Sequence, residues 1–182
     1  MDRDIFNDRV LKFALRKPTS WRFMPPAWSP VAQLKNALGP EDWIQYAQSP
    51  FCCASGSHDS PVHPYPTLQA TVRPSAVPSN EQARSILQSQ LDFLAAEFMD
   101  FDPFEVTSEA VIGGCRANVI KARFSLPLEI DGELLMAPVI SRSYAIFAPG
   151  RAFSVGLSGS GDPEYYNESE FLSVVQSVRI GT

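Results

Sequence analysis

The sequence predicts an α+β fold, a curved antiparallel sheet flanked by helices. Residues 104–158 follow a period of two and are divided by three turn pairs: Gly113-Gly114, Asp131-Gly132 and Pro149-Gly150. The segments before and after this stretch carry apolar residues at three- and four-residue spacing. Because such helices have one apolar stripe and such strands one apolar face, packing the helices on the sheet buries both.

Length and composition favour a single domain over residues 1–182. A chain of 182 residues with 45% hydrophobic residues can bury a core without disulfides. The charged fraction of 19% does not fit a disordered or coiled-coil sequence. The net charge of -5 and the scattered positions of Lys and Arg argue against a nucleic-acid partner.

The compartment expected from the sequence is the cytoplasm. The N-terminal segment MDRDIFNDRVLKFALRKP is charged and lacks the continuous apolar part of a signal peptide. No segment approaches the roughly 18 consecutive apolar residues of a membrane helix, so membrane insertion is not expected. The three cysteines, Cys52, Cys53 and Cys115, are an odd number, which favours a reducing environment.

The first part of the chain predicts short strands and long loops. Residues 10–16 alternate between apolar and charged side chains and predict a first strand. Eleven of the 16 prolines lie between Pro18 and Pro78, and residues 18–66 form a Pro-rich, aromatic excursion. Residues 67–73 alternate again and predict a strand with Leu68 facing the core.

Within the excursion the pattern is less regular. Residues 30–38 predict a short helix with Ser29 as N-cap and Gly39 after its end. Residues 41–47 are ambiguous between helix and strand, and residues 51–54 predict a short strand.

The strongest helix signal begins at Ser79, which forms a capping box with Gln82, and is expected to stop near Asp100. Its apolar stripe, expected to pack on the meander, is Ile86, Leu87, Leu91 and Leu94. A terminal helix is predicted over residues 168–176, where Asn167 and Glu170 resemble a second capping box. The glycine-rich segment between the last strand and this helix, residues 156–162, is expected to be a flexible connection.

Four segments, in this order along the chain, resemble the Mog1/PsbP-like superfamily, whose bacterial branch includes DcrB-like domains of unknown function. They are LKFALRKPTSW, PTLQATVRP, AVIGGCRANVIKARF and ESEFLSVVQSVRI. The superfamily is mostly non-enzymatic and includes photosystem-associated subunits, a Ran-binding import factor, secreted lipoproteins and chaperones of type VI secretion effectors. The resemblance implies a Mog1/PsbP-like sandwich and a protein-binding role in the bacterial cytoplasm. We predict a protein-binding adaptor or chaperone without a cofactor, and a homodimer is compatible with this prediction.

The chemistry-bearing residues give weaker signals. Cys52 and Cys53 with His58 and His63 could supply zinc ligands, but adjacent residues of a strand point to opposite faces, so no metal site is expected. Cys53 with either histidine is the enzyme alternative, a Cys/His-dependent hydrolase. We predict no catalytic residue. A third alternative is a carrier of a small apolar ligand, which requires a deep pocket under the sheet.

The predicted partner is an apolar helix or peptide of a client protein. The aromatic residues of the excursion either cap the core or form an exposed groove, and interfaces are rich in aromatic residues and Arg. The residues predicted to bind the partner are Trp28, Trp43 and Tyr46 in the excursion and Arg142, Tyr144 and Phe147 on the outer meander strands.

Overall fold

The computed structural model describes residues 3–24, 50–130 and 132–181 and places their strands in two antiparallel sheets. The larger sheet contains β3 (Arg22–Met24), β4 (Cys52–Ser55), β5 (Thr67–Pro74), β6 (Met99–Ile112), β7 (Cys115–Ile130), β8 (Glu133–Ala148) and β9 (Arg151–Ser160). Their order across this sheet is β3-β4-β5-β9-β8-β7-β6. The smaller sheet contains β1 (Ile5–Asp8), β2 (Phe13–Arg16) and β10 (Arg179–Ile180), in the order β1-β2-β10. The helices of the described residues are α1 (Asn80–Glu97) and α2 (Glu168–Ser177).

The predicted α+β class and the four-strand meander are confirmed, the meander as β6 to β9. The described residues of the predicted turn pairs lie at the connections between these strands. Gly132 and Gly150 have φ values of +83° and +77°, the left-handed conformation that glycine adopts without a steric penalty. These turns join each strand directly to its neighbour in the sheet.

The helix α1 begins and packs as its sequence predicts. Ser79 Oγ accepts the Gln82 N–H at 3.2 Å, and Gln82 Oε1 accepts the Ser79 N–H at 2.9 Å, which completes the capping box. The side chains that pack on the meander come from one helix face: Ile86, Leu87, Leu91 and Leu94. At the end of the helix the Phe98 ring stacks on Phe124, with the ring centroids 4.2 Å apart.

The opposite face of the large sheet is covered by α2 and the smaller sheet. The apolar residues of this layer form one core that includes Leu15, Leu68, Tyr144, Ile146, Val155 and Val174. The rings of Phe13 and Phe153 are 4.9 Å apart, and Phe51 makes an edge contact with Phe13 at 5.2 Å. Aromatic packing therefore holds the smaller sheet against the larger one.

The predicted first strand over residues 10–16 begins later than expected. Asp8 Oδ1 accepts the N–H groups of Val10 and Leu11 at 2.9 and 2.8 Å, and Lys12 has a φ of +48°. These hydrogen bonds close a turn, so strand pairing starts at Phe13. The residues before the turn form β1, a strand that the sequence pattern did not predict.

The glycine-rich segment is not a flexible connection over most of its length, because β9 continues to Ser160. A Cβ at Gly159 would lie 3.3 Å from the Phe171 ring and 3.4 Å from Pro66. The glycine therefore allows α2 and the loop before β5 to approach the sheet closely.

The predicted helix over residues 30–38, the ambiguous segment 41–47, and the side chains of Trp28, Trp43 and Tyr46 lie outside the described residues. In the described ranges, neither α1 nor α2 is long and apolar enough to span a bilayer.

Candidate functional site

A cleft of about 430 Å³ lies where the start of α2 meets the loop between β4 and β5. The described residues that line it are Ser20, Trp21, Gly56, Ser57, His58, Pro66, Gly159, Glu164, Tyr165, Tyr166, Asn167, Glu170 and Phe171. A Cβ at Gly56 would lie 2.7 Å from Pro66 and 2.9 Å from the Trp21 indole, so the glycine allows these two side chains to pack against the backbone in the cleft wall. We call this site the α2 cleft.

The inner wall of the α2 cleft is organised by Glu170. Trp21 is 2% exposed, and its Nε1–H donates to Glu170 Oε2 at 3.1 Å, while Ser20 Oγ donates to Oε1 at 3.1 Å. The Trp21 ring meets the Phe171 ring edge-on at 5.8 Å. A buried indole N–H needs an acceptor, and the carboxylate supplies it.

This contact corrects the predicted second capping box. Asn167 is the N-cap, as expected, and its Oδ1 accepts the N–H groups of Ser169 and Glu170 at 3.1 and 3.4 Å. The Glu170 side chain turns to Trp21 instead of returning to the N-cap backbone, because the indole N–H is the donor that burial leaves without water.

The outer wall of the cleft contains His58 and Tyr165. The Tyr165 ring stacks on His63 at 4.3 Å and lies 5.0 Å from His58. The Ser60 N–H donates to His58 Nδ1 at 3.2 Å, and His58 Nε2 lies 3.3 Å from the Pro64 carbonyl oxygen. Because Nδ1 accepts, these contacts fit the neutral imidazole with its proton on Nε2.

Behind the cleft, Arg142 is a buried cation with 2% of its surface exposed. Its Nη2 donates to the Tyr166 hydroxyl and to the Glu168 carboxylate. Its Nε and Nη1 atoms are buried and have no hydrogen-bond partner among the described residues. Burial raises the pKa of both the Tyr144 and the Tyr166 hydroxyl, and the nearby Arg142 charge opposes that shift. Both phenols are therefore protonated at neutral pH.

The predicted meander residues do not form one surface. Arg142 and Tyr144 lie on the α2 face of the sheet, whereas Phe147 lies on the opposite face beside Ile86 of α1. Arg142, Tyr144 and Phe147 are 2%, 4% and 2% exposed. These residues are buried on two faces and so do not form one exposed surface in this structure, while their role in partner binding stays a prediction.

The cysteines of the zinc and hydrolase alternatives, Cys52 and Cys53, are buried free thiols. Cys52 and Cys53 are both 2% exposed on β4, and burial raises their pKa values to about 12 and about 11. A nucleophilic thiol needs its pKa lowered, so burial here acts in the opposite direction. Among the described residues, no group of three or more His, Cys, Asp and Glu side chains is placed to hold a metal.

The β7–β8 hairpin extends beyond both of its neighbouring strands. β9 pairs with β8 from Val139 onward, and β6 pairs with β7 as far as Ser125. Within the described part of the chain, residues 126–130 and 132–137 therefore form a two-stranded ribbon without a third strand. We call this ribbon the hairpin extension.

The hairpin extension exposes large apolar side chains on both faces. Leu134, Leu135 and Met136 are 71%, 40% and 44% exposed. Since strand residues alternate, Leu134 and Met136 lie on the face that carries Arg142, and Leu135 lies on the α1 face. Sequence reasoning missed this feature, although three consecutive apolar residues next to a two-residue turn interrupt the alternation and could have indicated it.

Comparison with known proteins identifies the fold. No protein-family model and no curated protein matches the chain. LpqN of Mycobacterium tuberculosis, described as involved in cell envelope biogenesis, has a similar structure with a TM-score of 0.54 and 15% identity, over 93% of this chain and 83% of LpqN. Cyanobacterial PsbP (CyanoP) of Synechocystis sp. PCC 6803 has a TM-score of 0.52 and 11% identity, over 97% of this chain and 91% of CyanoP.

A protein from Bacteroides thetaiotaomicron is also similar, with a TM-score of 0.52 and 8% identity, over 100% of this chain and 50% of that one. Identities this low show the fold and nothing finer. The chain has the Mog1/PsbP-like fold, as its resemblance to that superfamily predicted. Function is not carried by a fold and has to be argued from the sites.

Proposed function

We propose that the protein is a non-enzymatic adaptor or chaperone of the cytoplasm, from the DcrB-like branch, that binds an apolar helix or peptide of a client protein. A client secreted by a type VI system fits the resemblance noted above. The observation that carries the proposal is the hairpin extension, with Leu134, Leu135 and Met136 exposed on a ribbon that lacks a third strand within the described residues.

Physical reasoning supports a protein partner for this ribbon. Contiguous exposed apolar side chains favour contact with another molecule, and Met is among the residues that interfaces prefer. An apolar client segment that packs on the face that carries Arg142 removes Leu134 and Met136 from water. The net charge of -5 supports the proposal too, because it keeps a chain with an exposed apolar ribbon in solution.

Site-specific photo-crosslinking in the native cell tests the proposal. A benzophenone amino acid at position 134 should capture one abundant protein, which mass spectrometry identifies. Position 10 is the matched control, because Val10 is 86% exposed but lies in the turn between β1 and β2, outside the hairpin extension. With the client purified, the double variant Leu134→Asp with Met136→Asp should weaken binding at least about tenfold. A tenfold loss of affinity corresponds to about 1.4 kcal/mol, and the burial of two apolar side chains contributes more than that.

The control variant Val10→Asp should leave the affinity for the client unchanged, and the melting temperature of both variants should stay close to that of the parent. Equal capture at positions 134 and 10, or full affinity in the double variant, would reject the hairpin extension as the client site. Capture of a second copy of the chain would assign the ribbon to a homodimer and contradict the client proposal.

A further inference from the structure

The α2 cleft combines aromatic walls with carboxylate charge. Its aromatic lining residues are Trp21, His58, Tyr165, Tyr166 and Phe171, and its acidic ones are Glu164 and Glu170. Among the described lining residues there is no Lys or Arg. The described lining thus has acidic side chains without a Lys or Arg to balance them, and most of its large side chains are aromatic.

The charge of Glu170 is fixed in position and is not neutralised. Its two oxygens accept hydrogen bonds from Ser20 Oγ and Trp21 Nε1, which are neutral donors. The ion pairs of the described residues involve other carboxylates. A held carboxylate beside a buried indole is attractive to a cation that loses part of its water on entry.

Two groups that could supply positive charge near the cleft are His58 and Arg142. His58 also lines the cleft, and its hydrogen bonds with Ser60 and Pro64 fit the neutral ring. The Arg142 guanidinium lies 5.7 Å from the Tyr166 ring centroid and 5.9 Å from that of Phe171, and its charge is paired with Glu168. Arg142 thus fixes the wall of the cleft without leaving a net positive charge behind it.

We propose that the α2 cleft binds an organic cation, an alkylated ammonium or guanidinium group, between its aromatic rings and Glu170. Such cations are attracted by the faces of Trp and Tyr rings, most strongly where water is excluded. The volume of about 430 Å³ lies in the range of about 300–1,000 Å³ that is typical of small-ligand sites. The cation is carried either by a free amine or by a basic side chain of a peptide. This inference is independent of the hairpin extension.

Titration of the isotope-labelled full-length chain, followed by NMR, tests the inference. The reporter is the Trp21 indole N–H resonance, which a Trp21→Phe variant assigns, because that proton lies in the hydrogen bond to Glu170. Choline and the amide of acetyl-arginine are the two probes. At least one should shift the resonance saturably, and the tighter of the two identifies a free amine or a peptide side chain as the source of the cation.

The matched control ligand is the alcohol in which a carbon atom replaces the choline nitrogen, which keeps the shape and removes the charge. Glu170→Gln, which retains an acceptor for Trp21, and Tyr165→Leu should each weaken binding about three- to tenfold. Glu81→Gln, at the exposed start of α1, should leave the affinity unchanged. Equal shifts with the uncharged alcohol, unchanged affinity in both cleft variants, or no saturable shift with either probe would overturn the inference.

Discussion

The two faces of the large sheet bury different kinds of side chain. Under α1 the described core consists of two small apolar clusters, one around Leu87 and Ile120 and one around Ala145 and Phe147. On the α2 face the core is larger and rich in aromatic rings. This face also holds the two buried cations of the described residues: Lys17 at 5% and Arg142 at 2% exposure.

The difference indicates that stability accounts for the side chains buried under α1, whereas the charged side chains buried on the α2 face need a further explanation. Apolar packing of α1 is explained by burial of its stripe, and no other role is needed for it. A buried ion pair, by contrast, stabilises a fold little or not at all relative to apolar residues of similar size. The charge on the α2 face, next to the α2 cleft, is therefore the better indication of function.

The largest effect that this comparison predicts is on core packing. Phe153→Ala should lower the free energy of unfolding by about 3–5 kcal/mol, because it removes a ring with 0% exposure from the aromatic core. Leu87→Ala on the other face should cost about 2–3 kcal/mol, since its cluster is small and borders solvent. Urea titrations with an unchanged slope measure both values. A cost for Leu87→Ala equal to that for Phe153→Ala would show that the two faces contribute alike.

Variants of the Arg142–Glu168 ion pair should have intermediate effects on stability, and they test whether this buried charge is needed for folding. Arg142→Met should change the free energy of unfolding by less than about 1 kcal/mol, because it removes a buried cation with two unpartnered nitrogens. Glu168→Gln should cost about 1–3 kcal/mol, because it leaves that cation with a weaker partner; the value is reduced because Glu168 is 46% exposed.

The exposed pair of Arg84 and Glu109 provides the control for the ion-pair variants. Its side chains are 67% and 79% exposed, so Arg84→Met should cost less than about 0.5 kcal/mol. Denaturant titrations at neutral pH give all three values. If Arg142→Met destabilises the protein more than Glu168→Gln does, the pair is structural and the contrast between the two faces fails.

What the sequence could predict were features encoded by neighbouring residues. The capping box of Ser79 and Gln82 and the turn pairs such as Asp131-Gly132 are local, so they indicated α1 and the meander correctly. The alternation of residues along a strand also predicts that the side chain of Phe147 lies on the other face from Arg142 and Tyr144. Phe147 is separated from Arg142 and from Tyr144 by odd numbers of residues, which places it on the other face of a strand.

What the sequence could not predict depends on contacts between distant segments. Trp21, His58 and Glu170 meet only because α2 packs across the loop before β5, and no spacing along the chain indicates that contact. The spacing of Glu170 from Asn167 predicted a capping box for the same reason, because local spacing does not reveal a distant hydrogen-bond donor. The distant donor of Glu170, the Trp21 indole, is separated from it by 149 positions.

The smallest predicted effect concerns Lys17, the second buried cation of the α2 face. Its Nζ donates to Asp4 Oδ1 at 2.6 Å, and Thr19 Oγ1 donates to Asp4 Oδ2 at 2.8 Å. The hydrogen bond from Lys17, followed by that from Thr19, lowers the pKa of Asp4 below its ordinary value of 3.8. The folded state therefore binds this proton less readily than the unfolded state, so the carboxylate stabilises the fold above the unfolded pKa, and this contribution is lost as the pH falls through the folded pKa.

Asp4→Asn tests this dependence through urea titrations at a series of pH values. The variant should be less stable than the parent by a constant amount from about pH 7 to about pH 5, and the difference should shrink as the pH falls below the unfolded pKa. Thr19→Val is the matched control, because it removes one of the two hydrogen bonds and should remove only part of the pH-dependent difference. A difference that stays constant or grows at low pH would mean that the Asp4 carboxylate does not stabilise the fold through its hydrogen bonds with Lys17 and Thr19.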